Sequence, residues 1–225
     1  MIVAAGCSFT ASDFRSHVYK DYDVSYPKWP EIVAGHLKTD LVNFAKCGYG
    51  NDYIVDKMVP FILNNYKDIH LVVIGWTEAL RFNIYHQHHF NPTHWLNGND
   101  SDPYSNAYKF LNTPYSVAQR IMRETDLDVM ADKLEEEYST LISLCKHLNL
   151  KYIFGQTLRP IDYDKINYIF KDLNIDESNF IGHPIYDLSI YEIMSHDINR
   201  YTIGEDDRHP NAEGHRMIAN LYIKK

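Results

Sequence analysis

Cysteine is scarce in this chain: three residues in 225. An odd and sparse count argues against a disulfide framework and points to synthesis in a reducing compartment. Positive charge is also short, with 22 Lys and Arg against 30 Asp and Glu and a formal net charge of −8. The basic residues form no stripe, which argues against nucleic acid or an anionic membrane as a partner. No stretch approaches the ~20 apolar residues of a membrane span. The N-terminus enters an apolar run at once, without the basic, apolar and small-residue order of a signal peptide, so the expected location is the cytoplasm as synthesised. There is no internal repeat, no low-complexity tract and no linker. The length suits one α/β domain over residues 1–225 with elaborated loops. What is abundant is tyrosine, 18 residues concentrated in the loop regions.

The chain opens on Ile2-Val3-Ala4-Ala5-Gly6, a short apolar run that reads as a buried parallel strand. Gly6 permits a sharp turn at its end, and Ser8 follows two residues later. In an open α/β sheet, ligands bind at the carboxyl ends of the strands, so Ser8 is expected at the mouth of a crevice. A helix is expected from Trp29, with Ile32, Val33 and Leu37 at helical spacing. Leu41–Ala45 is read as a second strand, running into the glycine-rich turn Cys47-Gly48-Tyr49-Gly50-Asn51. A helix carrying Ile54, Val55, Met58 and Ile62 comes next, and Leu71–Gly75 is a third strand. Strands that alternate with helices and stop at glycine-bearing loops form the βαβ pattern. Leu134, Tyr138, Leu141, Ile142, Cys145 and Leu148 mark a further amphipathic helix, Tyr152–Gly155 a fourth strand, and a last helix begins near Asn211.

Between about residues 78 and 128 regular periodicity fails, which is too long for an ordinary connection and reads as a functional loop insertion. Its His86, His88, His89 and His94 have irregular spacing and no cysteine nearby, so a packed or exposed loop is favoured over a metal site. The aromatics Tyr85, Phe90, Trp95, Tyr104, Tyr108 and Tyr115 either pack the insertion or form a platform for sugar rings. A second irregular region runs from Gln156 to Gly204. Cys7 and Cys47 each lie just past a strand end and could come close in the sheet; Cys7, preceding the candidate nucleophile, is expected as a small buried thiol. His183 and His215 are further titratable candidates, His215 in a packing role.

A nucleophilic serine needs a base, and the base needs an orienting carboxylate. The segment Asp206-Asp207-Arg208-His209-Pro210 offers both just before the last helix. An Asp three residues before a His in a turn can fold back onto it, so Asp206 is assigned to His209, with the adjacent Asp207 as the fallback. Pro210 suits the first helical position and holds His209 extended.

These two ends together resemble the SGNH hydrolases, also called the GDSL esterase/lipase superfamily. There the nucleophile follows the first strand in a Gly-Asp-Ser-like block, and an Asp-x-x-His pair lies near the C-terminus. Here the blocks are Gly6-Cys7-Ser8-Phe9, with Cys7 where Asp is usual, and Asp206 to Pro210. The resemblance implies a three-layer α/β/α, flavodoxin-like sheet of about five mostly parallel strands. It implies a serine ester hydrolase working through Ser8, His209 and Asp206, with an acyl-enzyme intermediate and without cofactor or metal. The oxyanion donors would be the Ser8 and Gly48 N–H groups, Gly50 being the alternative to Gly48. In the third block the family's Gly-x-Asn-Asp is replaced by Gly75-Trp76-Thr77-Glu78, which puts Thr77 where the donor Asn is usual. Trp76, Arg81 and Asn51 are the candidate substrate-binding residues. Gly-Cys-Ser-Phe and Gly-Trp-Thr blocks resemble divergent variants from phages and marine bacteria, so association with a virion is the alternative setting. The expected substrate is a small acyl ester or an acylated, for example acetylated, glycan. The departures at Cys7 and Thr77 and the large insertion support a second reading, a weak or inactive SGNH-fold binding or structural protein.

Overall fold

A computed structural model describes residues 1–78, 81–84, 88–90, 127–158, 177–182 and 189–225. Five strands form one sheet in the order β2-β1-β3-β6-β7: β1 Ile2–Gly6, β2 Leu41–Asn43, β3 Leu71–Trp76, β6 Tyr152–Gln156 and β7 Phe180–Ile181. Every neighbouring pair is parallel, with Ile2 opposite Leu41 and Leu71, Val72 opposite Tyr152, and Phe154 opposite Phe180. The central strands are near-continuous apolar runs because helices cover both faces, the arrangement a parallel sheet requires. Successive side chains alternate between those faces.

One face carries Val3, Ala5, Val72, Ile74, Trp76 and Phe154. They pack on α2 (Asn51–Asn65) through Ile54, Met58 and Ile62, and on α3 (Leu127–His147) through Leu134, Tyr138, Leu141 and Cys145. The other face carries Ile2, Ala4 and Val73 against α1 (Trp29–Leu37), α4 (Ile190–Ser195) and α6 (Ala212–Ile223), which supply Trp29, Val33, Met194, Ile218 and Tyr222. A short α5, Ile198–Tyr201, precedes the His209 segment. The expected α/β/α layering with about five parallel strands is therefore the architecture found.

Three features depart from the expectation. A two-stranded antiparallel sheet, β4 Phe82–Ile84 with β5 His88–Phe90, lies inside the segment read as irregular. The fifth strand of the main sheet, β7, comes from the second irregular region and is only two residues long, too short to show a period. Pro210 is also not the first helical residue. It bridges to Thr202, and Asn211 is the N-cap of α6, its side chain accepting the Glu213 and Gly214 N–H groups at 2.9 Å. Asn is among the strongest capping residues, so it takes that position.

Candidate active site

The turn after β1 places Ser8. Thr10 and Ala11 both donate their N–H to the Cys7 carbonyl, at 2.9 and 3.1 Å, which folds the chain back over the strand ends. The fold-back needs Gly6, because a Cβ there would collide with Thr10 Oγ1. Ser8 is thus left half-buried at the carboxyl edge of the sheet, while its neighbour Cys7 is fully buried as expected.

The segment that carries His209 is fixed at both ends. Ile203 N–H donates to the His209 carbonyl at 3.0 Å, Gly204 N–H to the Asp207 carbonyl at 3.1 Å, and Asn211 N–H to the Tyr201 carbonyl at 3.0 Å. Asn211 Nδ2 ties the segment to the Arg200 and Thr202 carbonyls at 2.8 Å each. The two chain ends then meet: Ser8 Oγ lies 2.8 Å from His209 Nε2 across a sequence separation of 201.

The carboxylate on the other ring nitrogen belongs to Asp207, with Oδ1 at 2.6 Å from His209 Nδ1. Asp206, the residue assigned from the Asp-x-x-His spacing, is exposed and does not make this contact. The reason is local. Asp207 Oδ1 also accepts the His209 backbone N–H at 3.1 Å, a side-chain turn that an Asp makes with the residue two positions on. The other oxygen, Oδ2, accepts the Ser16 hydroxyl at 2.5 Å. Burial alone would push this carboxyl up, but the hydrogen bonds from His209 and Ser16 outweigh it and hold it down at about 2. The His209 side chain is 26% exposed and that of Asp207 4%, so the imidazole reaches the crevice while its carboxylate is shielded.

Phe14 and Phe9 pack on the imidazole, with ring centroids 4.3 and 5.2 Å away. The loop between β1 and α1 also grips the segment beyond His209, Tyr26 donating its hydroxyl to the Pro210 carbonyl at 3.0 Å. The buried Lys28 ammonium in turn donates to the Val24 and Tyr26 carbonyls, at 2.5 and 3.0 Å. Sequence reasoning missed Phe9, Phe14, Ser16 and Tyr26, because a polar, aromatic loop without periodicity gives no signal of what it touches. His215 is buried and accepts the Trp29 N–H on Nδ1 at 3.2 Å, in the packing role expected for it. Burial first, then the charges of Lys28 and His209, push its imidazole down to about 3.

On the second block, Asn43 ties the two loops together by donating to the Thr10 carbonyl at 2.8 Å and accepting the Ala45 N–H at 2.9 Å. Gly48 has φ 80°, a left-handed conformation that favours glycine. Among the described residues, neither the Ser8 nor the Gly48 N–H has a backbone acceptor. Burial, then the charges of Asp13 and Cys7, push the Cys47 thiol up to about 12, so it is no thiolate at neutral pH.

The third block sits differently from its expected role. Thr77 is fully buried, and its hydroxyl has no partner among the described residues. Its N–H donates to Asn51 Oδ1 at 2.9 Å, and its carbonyl accepts from Asn51 Nδ2 and Gln156 Nε2 at 3.3 and 3.0 Å. Asn51 is thereby spent on clamping the end of β3 to the start of α2, and it is buried. Trp76 points into the core beside Tyr138 and Phe154 because it continues the Val72–Ile74 face of its strand. Arg81 pairs with Glu78 at 3.4 Å. Asn51, Trp76 and Thr77 therefore hold the strand end and are buried, and among the described residues Arg81 has no hydrogen bond or ion pair with Ser8 or His209. Tyr85, His86, His94, Trp95, Tyr104, Tyr108, Tyr115 and His183 lie outside the described residues, as do the side chains of His88, His89 and Phe90. Among the described residues no group of His, Cys, Asp and Glu is arranged to hold a metal ion, and no helix is long and apolar enough to cross a membrane.

No protein-family model and no curated protein matches the sequence. Solved structures do match by shape over almost the whole chain. TesA aligns with a TM-score of 0.55 at 11% identity, covering 99% of this chain and 96% of that one. The acetylxylan esterase Axe2 of Geobacillus stearothermophilus, solved as a catalytic mutant, gives 0.53 at 13% identity, covering 99% and 92%. The psychrotrophic esterase EstA of Pseudoalteromonas sp., inhibited by monoethylphosphonate, gives 0.52 at 10% identity, covering 99% and 94%. With its parallel five-stranded sheet between two helical layers, this chain has the fold of the SGNH hydrolases.

Proposed function

We propose that this chain is a serine ester hydrolase acting on small acyl esters, with acetyl groups on carbohydrate as the favoured substrate class. The observation that carries the proposal is the continuous relay Ser8–His209–Asp207, with links of 2.8 and 2.6 Å. In the proposed reaction His209 Nε2 takes the proton of Ser8 Oγ as that oxygen attacks the ester carbonyl. Asp207 keeps the remaining ring proton on Nδ1 and stabilises the imidazolium that forms. The Ser8 and Gly48 N–H groups receive the developing oxyanion. His209 then donates its proton to the departing alcohol. Water, activated by the same imidazole, cleaves the acyl-enzyme. The sequence insertion at about 78–128 is rich in aromatic residues suited to sugar rings, and the match to Axe2, named as an acetylxylan esterase, supports the same class.

The buried Thr77 hydroxyl supports a slower version of the same site. One preorganised oxyanion donor is worth about 10²–10³ in kcat, so a hole of two backbone N–H groups turns over more slowly than one with a side-chain donor as well. At the limit of that trend lies a protein that binds acyl ligands without cleaving them. Hydrolysis of p-nitrophenyl acetate by the wild type and Ser8→Ala tests the proposal, together with labelling by a fluorophosphonate. Turnover and labelling that both vanish in Ser8→Ala are expected. Unlabelled, inactive wild type would select the binding protein, and a Ser8→Ala variant with full turnover would remove Ser8 from the chemistry.

A further inference from the structure

Resting on the relay proposed above, we infer that Ser16 is a positioning residue that locks Asp207 in the rotamer that serves His209. The two oxygens of Asp207 have separate tasks. Oδ1 takes both the ring and the backbone N–H of His209, and Oδ2 takes the Ser16 hydroxyl at 2.5 Å. The Ser16 oxygen itself accepts the Tyr19 N–H at 2.8 Å. That bond occupies a lone pair and leaves the single hydroxyl proton for the carboxylate. Ser16 is only 7% exposed, so bulk water has little access to replace it.

Without that donor, Oδ2 is a buried acceptor with no other partner among the described residues. The carboxylate is then free to rotate toward any remaining donor, and the bond that fixes the His209 tautomer rotates with it. Ser16 follows Ser8 by eight positions in the same loop, whose Phe14 also rests on the His209 ring. One loop therefore carries the nucleophile and holds the far end of its relay, the carboxylate that nothing in the chain near Asp207 immobilises on that side.

Steady-state kinetics with p-nitrophenyl acetate on six variants tests this. Ser16→Ala is expected to lower kcat about tenfold with KM unchanged, the loss of one hydrogen bond to a charged group. Ser16→Thr, which keeps the hydroxyl, stays within about threefold of wild type, whereas Ser16→Val, of the same shape without it, loses about tenfold. In an Asp207→Asn background Ser16→Ala costs nothing further, because both act through one carboxylate. Equal kcat for the Thr and Val variants, a change confined to KM, or a Ser16→Ala loss that adds in full to that of Asp207→Asn overturns the inference. If Ser16→Ala does not fold, the Thr and Val pair decides alone. Retained turnover in Ser8→Ala sinks the hydrolase reading itself. Loss in Ser8→Ala with unchanged kcat in Ser16→Val sinks only the role of Ser16.

Discussion

Asp207 and Glu137 are both buried carboxyl groups, 5% and 9% exposed, yet their proton affinities move in opposite directions. Asp207 is held at about 2, and Glu137 is pushed up to about 8. Burial is the largest influence on each and raises both. What separates them is the supply of donors. Asp207 receives the Ser16 hydroxyl and two N–H groups of His209. Glu137, on α3, has Lys133 at 3.7 Å, and that ammonium is shared with Asp52 of α2 at 3.9 Å. A shared cation beyond close hydrogen-bond length does not offset desolvation, whereas three aimed donors do. A buried carboxylate that stays charged at neutral pH therefore marks a place where the fold has been arranged around it.

The contrast can be broken most severely at Asp207. Asp207→Asn is expected to lower kcat by about 10⁴, the scale for a triad carboxylate, in esterase kinetics at pH 7–8. Because the folded pKa is depressed, the stabilisation from this group is complete above about pH 4 and lost as pH falls toward 2. Urea titrations from pH 5 to 2 should find that acid-induced loss smaller in the Asn variant. Glu137 has the opposite sign. Its folded pKa lies above the unfolded one, so its favourable contribution is complete below about 4.5 and declines as pH rises through 8. Glu137→Gln should leave hydrolysis unchanged and raise Tm by about 2–4 °C at pH 8.5, with no gain at pH 4. The comparison extends to the histidines on either side of Pro210. The depressed pKa of His215 makes its contribution complete above about 6.5 and lost as pH falls toward 3. His215→Gln should cost about 1 kcal/mol at pH 7.5 and flatten the fall in stability between pH 6.5 and 4 in the same titrations. The smallest effect belongs to the exposed neighbour: Asp206→Asn should change kcat/KM by less than about twofold, within the range for a surface substitution.

The strands that carry the site were legible because β1, β3 and β6 are unbroken apolar runs ending near glycine, and α2 and α6 show apolar residues at helical spacing. The pairing of Ser8 with His209 was legible from motif order at the two ends. The Asp-x-x-His spacing points to Asp206 because it takes account of the ring and not of the His209 backbone N–H. The side-chain turn over two residues, which Asp207 makes with the His209 N–H, follows a general rule and points to the carboxylate that meets His209. Trp76 was misread for a related reason: Val72, Ile74 and Trp76 share one face of a strand, and that alternation sends the indole to the core. Ser16 had no signal at all, since a serine in an aperiodic loop finds its carboxylate only through tertiary contact, 191 residues away.

The separation of 201 residues between Ser8 and His209 also sets a clock on the ribosome. At about 5–20 residues per second, the imidazole is made roughly 10–40 s after the hydroxyl it must meet. Through that interval the nascent chain carries Ser8 without His209, so under the proposed mechanism an unfinished polypeptide has no activated nucleophile. Under that mechanism chemical competence arises late and all at once, when the His209 segment settles onto the loop that carries Ser8.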